Sequence, residues 1–142
     1  MAATVVVTGA AGNLGMAMVN GFLEEGYQVL GLVAPGSSTE RLPKHGRLLI
    51  READLSDEMA TEELIWEQIS QVGSIEVAVL TVGGFAMGNI SNTHLKDVQY
   101  QIGLNFSTTY SVIRPLFRHM LTMGRGRIFL TGSDRKSTRL NS

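Results

Sequence analysis

Residues 5–15 read Val5-Val6-Val7-Thr8-Gly9-Ala10-Ala11-Gly12-Asn13-Leu14-Gly15, an apolar run followed at once by a glycine-rich loop. The run predicts a buried strand, and the loop predicts a tight turn into a helix whose unpaired N–H groups and positive dipole end face an anion. Gly9 permits the turn, Gly12 lets the backbone approach phosphates, and Gly15 lets helix and strand pack closely. The stretch therefore predicts dinucleotide binding, with a tight turn that holds no ligand as the alternative. The predicted cofactor-binding residues of this loop are Thr8, Gly9, Gly12, Asn13, Leu14 and Gly15.

Length and composition predict a single cytoplasmic α/β domain. The chain has 142 residues, of which 44% are hydrophobic and 18% are charged, and it contains no cysteine. This balance excludes a disordered chain and a disulfide scaffold. No apolar run reaches the length of a membrane span, and the N-terminus lacks the basic region of a signal peptide. The formal net charge of −1 favours neither nucleic acid nor a membrane surface as a partner.

Short apolar segments alternate with amphipathic segments along the chain, as in α/β proteins. Short, continuously apolar strands are typical of a parallel sheet that is covered on both faces. The pattern predicts a doubly wound parallel sheet of the Rossmann type, without an internal domain boundary and incomplete at its C-terminal edge. Strands are predicted over residues 4–8, 27–34, 48–52, 75–82 and 127–131, and helices over residues 14–25, from residue 56 onward and over 95–123.

The last nine residues, 134–142, differ in character from the rest of the chain. They are basic, show no apolar periodicity and follow directly on a predicted strand. Their sequence resembles the translation of a sequencing-library adapter, and a disordered basic tail is the alternative. We therefore expect residues 1–133 to form one NAD(P)-binding domain and residues 134–142 to be a non-native tail. Without the tail, nine basic residues face twelve acidic ones, a net charge of −3.

Four motifs follow one another in a characteristic order. The Thr8-Gly9 loop comes first, Asp54-Leu55 ends the third predicted strand, Asn105 lies within the long predicted helix, and Ser133 closes the segment Gly126–Ser133. In order and spacing these motifs resemble the short-chain dehydrogenase/reductase family over nearly the whole of residues 2–133. The resemblance implies hydride transfer between a nicotinamide cofactor and a carbonyl or alcohol substrate. It also implies a homo-oligomeric full-length parent, because the long helix is similar to one that commonly pairs with a second subunit.

The resemblance assigns a role to each of these polar residues. Asp54, beside Leu55, would pair with the adenine amino group, Ser133 would hydrogen-bond the substrate oxygen, and Asn105 would anchor a water that links the family's lysine to solvent. Simpler interpretations exist for all three. Asp54 can cap the helix that begins near Ser56, Asn105 can bond neighbouring backbone, and Ser133 can satisfy a turn.

The chain departs from the common family pattern in two places. The spacing of the loop glycines is closer to that of the extended form, because Asn13 occupies the position of the middle glycine of the common form. After the fourth strand, Leu80-Thr81-Val82-Gly83-Gly84 replaces Asn-Asn-Ala-Gly. We expect the Thr81 hydroxyl to take over part of the asparagine's bonding to the backbone, and we expect Thr81 and Gly83 to lie at the cofactor site.

The family's Tyr-x-x-x-Lys motif is absent from these residues. The three tyrosines are followed four positions later by Gly31, Leu104 and Arg114, and all three precede Ser133. In the family, this tyrosine exchanges the proton and the lysine lowers the tyrosine pKa. We therefore expect the chain to be the inactive, cofactor-binding front of an oxidoreductase. A non-catalytic nucleotide sensor on the same fold is the alternative.

The end of the second predicted strand indicates which cofactor is bound. An acidic residue at this point would bind the ribose 2′-hydroxyl of NAD, but residues 34–38 read Ala-Pro-Gly-Ser-Ser. Ser37, Ser38 and Arg41 offer donors to a 2′-phosphate, which favours NADP over NAD. The three histidines show no metal-ligand spacing, so no metal is expected.

Overall fold

The computed structural model describes residues 2–133, and its centre is a five-stranded parallel sheet. The strands lie in the order β3-β2-β1-β4-β5, so the chain moves outward from β1 in one direction and then returns to add β4 and β5 on the other side. The prediction of a doubly wound sheet is confirmed, whereas the expected tail at residues 134–142 lies outside the described residues. The strands are β1 (Thr4–Thr8), β2 (Gln28–Val33), β3 (Leu48–Glu52), β4 (Val77–Leu80) and β5 (Arg127–Leu130).

Helices cover both faces of this sheet. A single turn of 3-10 helix precedes the third helix, and a five-residue π-helical turn joins the third helix to the fourth. None of the helices among residues 2–133 is long and apolar enough to cross a membrane. The helical segments are α1 (Asn13–Glu24), α2 (Glu58–Val72), the 3-10 turn (Ile90–Asn92), α3 (Leu95–Ile102), the π-helical turn (Gly103–Ser107) and α4 (Thr108–Met123).

The central strand β1 contributes to two separate cores because its side chains alternate between the two faces of the sheet. Val6 packs in one core with Ile65 of α2 and Leu116 of α4. Val7 packs in the other core with Val19 of α1. All five side chains are fully buried, and each such burial stabilises the fold by about 1.5–3 kcal/mol. The loop that follows β1 is therefore attached to the most deeply buried strand of the sheet.

The second helix begins two residues later than the sequence predicts. The carboxylate of Asp57 accepts a hydrogen bond from the Ala60 N–H at 3.0 Å, so Asp57 is the N-cap and the helix begins at Glu58. On this helix Ile65 and Ile69 are buried, whereas Leu64 and Val72 are only partly buried at the margin of the same core. The predicted ends of α1, β2, β4 and β5 also differ from the observed ends by one or two residues.

The long predicted helix is interrupted by the π-helical turn. At its end the Thr108 N–H bonds the carbonyl of Gly103, five residues back, which leaves the Leu104 carbonyl without its usual backbone donor. The Thr108 hydroxyl donates to that carbonyl at 2.7 Å. The Ser111 hydroxyl likewise donates to the carbonyl of Ser107 at 2.9 Å. Side-chain hydroxyls thus satisfy carbonyls around this turn.

Strand β5 forms one edge of the sheet as described. It pairs with β4, in a register that places Leu80 beside Leu130, and it has no other partner among residues 2–133. Phe129 and Leu130 are 49% and 61% exposed, unlike the buried residues of β4. The expected incompleteness of the sheet at its C-terminal edge stays a prediction.

A buried histidine ties α4 to the beginning of β4. The Nε2 atom of His119 accepts a hydrogen bond from the Ile75 N–H at 3.1 Å, and the imidazole packs edge-on against Trp66. An imidazole that accepts at Nε2 is neutral. Burial lowers the pKa of His119 below its ordinary value, and the nearby Glu76 carboxylate opposes this effect only in part.

We expect the free energy of unfolding to decrease as the pH falls below about 6.5, the ordinary histidine pKa. In that range His119 binds a proton in the unfolded chain, whereas in the folded chain its lowered pKa keeps the imidazole neutral. Acidification therefore favours unfolding. Urea unfolding between about pH 5.5 and 8, above the carboxylate range, measures this slope. His119→Gln should remove the slope, and His94→Gln, at an exposed position, should keep it. A wild-type slope in His119→Gln would contradict this account.

Candidate active site

The loop between β1 and α1 is a tight turn that only glycine fits at two positions. Gly9 has a φ of +62°, and the Gly12 N–H bonds its carbonyl at 3.0 Å. A Cβ on Gly9 would lie 2.6 Å from the Thr81 hydroxyl oxygen. A Cβ on Gly15 would overlap the Gly9 carbonyl, so the first turn of the helix packs directly on the loop. These contacts explain the glycines at positions 9 and 15.

The first turn of α1 has free backbone N–H groups. Gly12 is the N-cap, it has an extended backbone and no side chain to accept hydrogen bonds, and the helical bonding begins with Met16 N–H to Gly12 carbonyl. Within the described part of the chain, the N–H groups of Asn13, Leu14 and Gly15 have no hydrogen-bond acceptor. Together with the helix dipole, these donors form an anion-binding site.

A reciprocal pair of hydrogen bonds holds this loop to β4. The Thr81 N–H donates to the Thr8 hydroxyl at 3.1 Å, and the Thr81 hydroxyl donates to the Thr8 carbonyl at 2.7 Å. Thr81 therefore bonds the backbone in the way that the sequence predicts. The loop and the end of β4 are held together at the point where the strand order reverses, which is where open α/β sheets bind ligands.

A cavity of about 420 Å³ extends from the glycine loop across the carboxyl ends of β2 and β3. We call it the cofactor cavity. Its walls are mainly apolar, as is usual for pockets that bind small organic molecules. The residues lining it are Gly9, Ala11, Gly12, Leu32, Val33, Ala34, Pro35, Ser37, Ala53, Asp54, Leu55, Ser56, Val82, Tyr100, Gly103, Leu104 and Thr108.

Asp54 provides the carboxylate of this cavity. Its Oδ1 atom accepts hydrogen bonds from both the N–H and the hydroxyl of Ser56, and these bonds lower the pKa of Asp54. The carboxylate is therefore ionised at neutral pH, and its Oδ2 atom bonds no donor among residues 2–133. Because Asp57 caps α2, the alternative in which Asp54 is the helix cap is wrong. Leu55 is buried beside it.

The loop after β2 contains no carboxylate at the cavity. Ala34 and Ser37 line the cavity, and the Ser37 N–H closes a turn onto the Ala34 carbonyl at 3.0 Å. The Arg41 guanidinium reaches back to the glycine loop and donates to the Asn13 side-chain oxygen at 3.4 Å. A positive charge thus lies beside the free N–H groups of α1. Ser38 is also exposed, but it is not part of the cavity lining.

Asn105, within the π-helical turn, connects the helix to the loop after β4. Its Oδ1 atom accepts from the Gly84 N–H at 2.9 Å, and its Nδ2 atom donates to the Gln101 carbonyl at 3.0 Å. A Cβ on Gly83 would lie 2.8 Å from the same Oδ1 atom. The side chain bonds backbone on both sides, as the simpler interpretation expects, and the implied catalytic role stays a prediction.

Ser133 lies three residues beyond the end of β5. It is exposed and makes no side-chain hydrogen bond within the described residues. The Thr131 N–H donates to the Leu80 carbonyl at 3.3 Å, which keeps this segment beside the end of β4. Asn105 and Thr131 line a smaller cavity of about 240 Å³ at the same edge of the sheet. Ser133 therefore follows β5 at the carboxyl edge of the sheet, where the glycine loop also lies.

The helical wall of the cofactor cavity was not predicted from the sequence. Tyr100, Leu104 and Thr108 line it at intervals of four residues, which places them on one face of the long helix. This spacing is visible in the sequence. The periodicity does not show which face of the helix turns toward the cavity, because that depends on the crossover from β4. No group of three or more possible metal-ligating side chains occurs among residues 2–133.

Comparison with known proteins shows which family this chain resembles. The family model described as short chain dehydrogenase matches residues 3–140. An uncharacterized oxidoreductase of Schizosaccharomyces pombe is 24% identical over 124 residues, which cover 87% of this chain and 41% of that protein. A short chain dehydrogenase of Penicillium roqueforti is 25% identical over 131 residues, which cover 91% of this chain and 51% of that protein. The chain thus spans about half the length of the curated relatives it matches.

Solved structures show the same fold. A structure described as ElxO with NADP bound superposes with a TM-score of 0.83 at 23% identity, covering 90% of this chain and 54% of that one. A short-chain dehydrogenase from Streptomyces avermitilis gives a TM-score of 0.83 at 20% identity, with 90% and 48% covered. At this identity the likeness extends to the fold alone. The match of the family model over nearly the whole chain establishes that the chain belongs to the short chain dehydrogenase family.

Proposed function

We propose that this chain is the coenzyme-binding part of an NAD(P)-dependent oxidoreductase that transfers hydride between nicotinamide and a carbonyl or alcohol carbon. The observation that carries the proposal is the set of free N–H groups at the start of α1, directly after Gly12, which lines the cofactor cavity. The residues present fit a dinucleotide, because Gly12 lines the cofactor cavity and has no side chain to occupy it. The S. pombe relative is described as an oxidoreductase, and the ElxO structure contains NADP.

The residues of this chain have distinct tasks in that reaction. The N–H groups of Asn13 and Leu14 bind the pyrophosphate, and the free Oδ2 of Asp54 accepts from the adenine amino group. When bound, the nicotinamide ring supplies or accepts the hydride. Ser133 donates a hydrogen bond to the substrate oxygen and stabilises the negative charge that develops there. Asn105 holds the loop after β4 in place through the Gly84 N–H.

NADP is the coenzyme that this site favours. The ribose 2′ position lies near the end of β2, where Ala34 offers no carboxylate to accept a 2′-hydroxyl or to repel a phosphate. Arg41, hydrogen-bonded to Asn13, adds a positive charge to the same side of the loop. Ser37 and Ser38 offer further donors. A 2′-phosphate is therefore stabilised here more than a 2′-hydroxyl.

A non-catalytic nucleotide sensor is the second candidate. The fold alone does not distinguish such a sensor from the enzyme. We propose that the full-length parent of this chain, whether enzyme or sensor, is a cytoplasmic homo-oligomer. We also propose that it binds a small carbonyl or alcohol compound and that it binds neither nucleic acid nor a membrane. The exposed apolar side chains Phe106, Tyr110, Phe117 and Leu121 along the long helix support the homo-oligomer.

Gly12→Val is expected to abolish tight coenzyme binding without unfolding the chain. The added side chain would occupy the space of the pyrophosphate, and losing one charged hydrogen bond there costs about 1.5–3 kcal/mol, or about tenfold or more in Kd. Titration calorimetry with NADP measures the loss. Gly21→Ala, on the same helix with open space around it, is the matched control and should bind as wild type does. Equal affinity in both variants would contradict the proposed phosphate site.

Ala34→Asp is expected to reverse the coenzyme preference. A carboxylate at the end of β2 would accept the 2′-hydroxyl of NAD and repel the 2′-phosphate of NADP, which changes the ratio of the two Kd values by about tenfold or more. Ala34→Asn, of similar size but neutral, should leave most of the wild-type ratio. A wild-type chain that already prefers NAD would refute the preference for NADP.

The 142-residue chain is expected to bind the coenzyme without reducing carbonyl compounds. None of its tyrosines has a lysine four positions later to lower the tyrosine pKa for proton transfer. Loss of NADPH absorbance with a panel of ketones and aldehydes measures turnover. If NADPH is consumed faster than in a sample without protein, the expected inactivity of the chain is contradicted. If the full-length gene encodes Tyr-x-x-x-Lys after Ser133, the enzyme is favoured. If the full-length gene lacks this motif, the sensor is favoured.

A further inference from the structure

We propose that Tyr100 forms the stacking wall for the adenine ring of the coenzyme, an inference that rests on the proposed function. Tyr100 lies on α3, and its side chain lines the cofactor cavity together with Leu104. Adenine presents two flat faces, and a tyrosine ring that contacts one of them gives binding energy without reading a hydrogen-bond pattern.

The position of the adenine follows from the order of groups in the coenzyme. The phosphates lie at the start of α1, near Gly12, and the adenosine ribose lies at the end of β2, near Ala34. The base is attached to the other side of that ribose. It therefore occupies the remaining part of the cofactor cavity, between Leu55 and the helix that carries Tyr100. Leu55 is buried, so it offers a fixed apolar surface on the strand side.

The ring of Tyr100 has no partner of its own. Its side chain is 66% exposed, and its hydroxyl makes no hydrogen bond within residues 2–133. The close aromatic pairs found in the same residues join other rings, such as Phe106 and Tyr110 farther along the helix. A large exposed ring at the mouth of a cavity is therefore available for a flat ligand, which would remove it from water.

Tyr100 also bounds a second cavity, of about 790 Å³, on the side of the loop after β4. Phe85, Met87 and Asp97 line that cavity, and Tyr100 is the residue it shares with the cofactor cavity. The ring thus stands between the two spaces. Removing it would take the aromatic part away from the helical wall and leave Leu104 and Thr108 beside the base, whereas removing only its hydroxyl would leave the ring in place.

Titration calorimetry of the 142-residue chain with NADP and with NAD tests this role. Tyr100→Ala should raise both Kd values by at least about fivefold and by the same factor, because adenine is common to the two coenzymes. Tyr100→Phe keeps the ring and should bind within about twofold of wild type. Phe117→Ala removes a similarly exposed ring that lines neither cavity, and it should bind as wild type does.

Each remaining outcome would overturn the assignment. Unchanged affinity of Tyr100→Ala for both coenzymes would overturn the proposed stacking role of Tyr100 and would leave the proposed function intact. Equal losses in Tyr100→Ala and Tyr100→Phe would assign the effect to the hydroxyl instead of the ring. A wild-type chain that binds neither coenzyme would refute the proposed function and this inference together. Thermal unfolding of all variants checks that the exposed substitutions leave the fold unchanged.

Discussion

The direct packing of Gly15 on the Gly9 carbonyl is the contact on which the rest of the site depends. Because no side chain separates α1 from the loop, the first turn of the helix lies close to the end of β1, and its free N–H groups directly follow Gly12, which lines the cofactor cavity. Strand β1 is fixed in turn, since it contributes side chains to two cores and lies at the centre of the sheet. The anion site is therefore attached directly to the core of the protein.

The other side of the site depends on a departure from regular helix. The π-helical turn changes the phase of the long helix, and such turns are common where a helix carries functional residues. Here the turn contains Asn105, which bonds the Gly84 N–H, and ends at Thr108, which lines the cofactor cavity. One irregular turn thus connects the wall of the coenzyme pocket with the loop that follows β4.

Much of this architecture is predictable from local sequence patterns. The apolar run before Gly9 and the glycine spacing identify β1, the loop and α1, since both patterns reflect short-range sterics and burial. The start of α2 was predicted incorrectly, because Ser56 and Asp57 are both good caps and only the backbone geometry shows that Asp57 is used. The π-helical turn could not be predicted, because it depends on which hydroxyls find a carbonyl. The role of Tyr100 depends on the orientation of a helix relative to the sheet, which periodicity does not determine.

The hydrogen bonds between Thr8 and Thr81 have a consequence for how this fold can change over time. Each threonine satisfies a polar group of the other, so replacing either one alone leaves its partner with an unmet donor or acceptor at the margin of the core. The group that each hydroxyl bonds belongs to the backbone, so it is present whichever residue occupies the partner position. A lineage can therefore replace Thr81 by another residue whose side chain donates to that carbonyl, such as the family's usual asparagine, without changing the residue that ends the first strand.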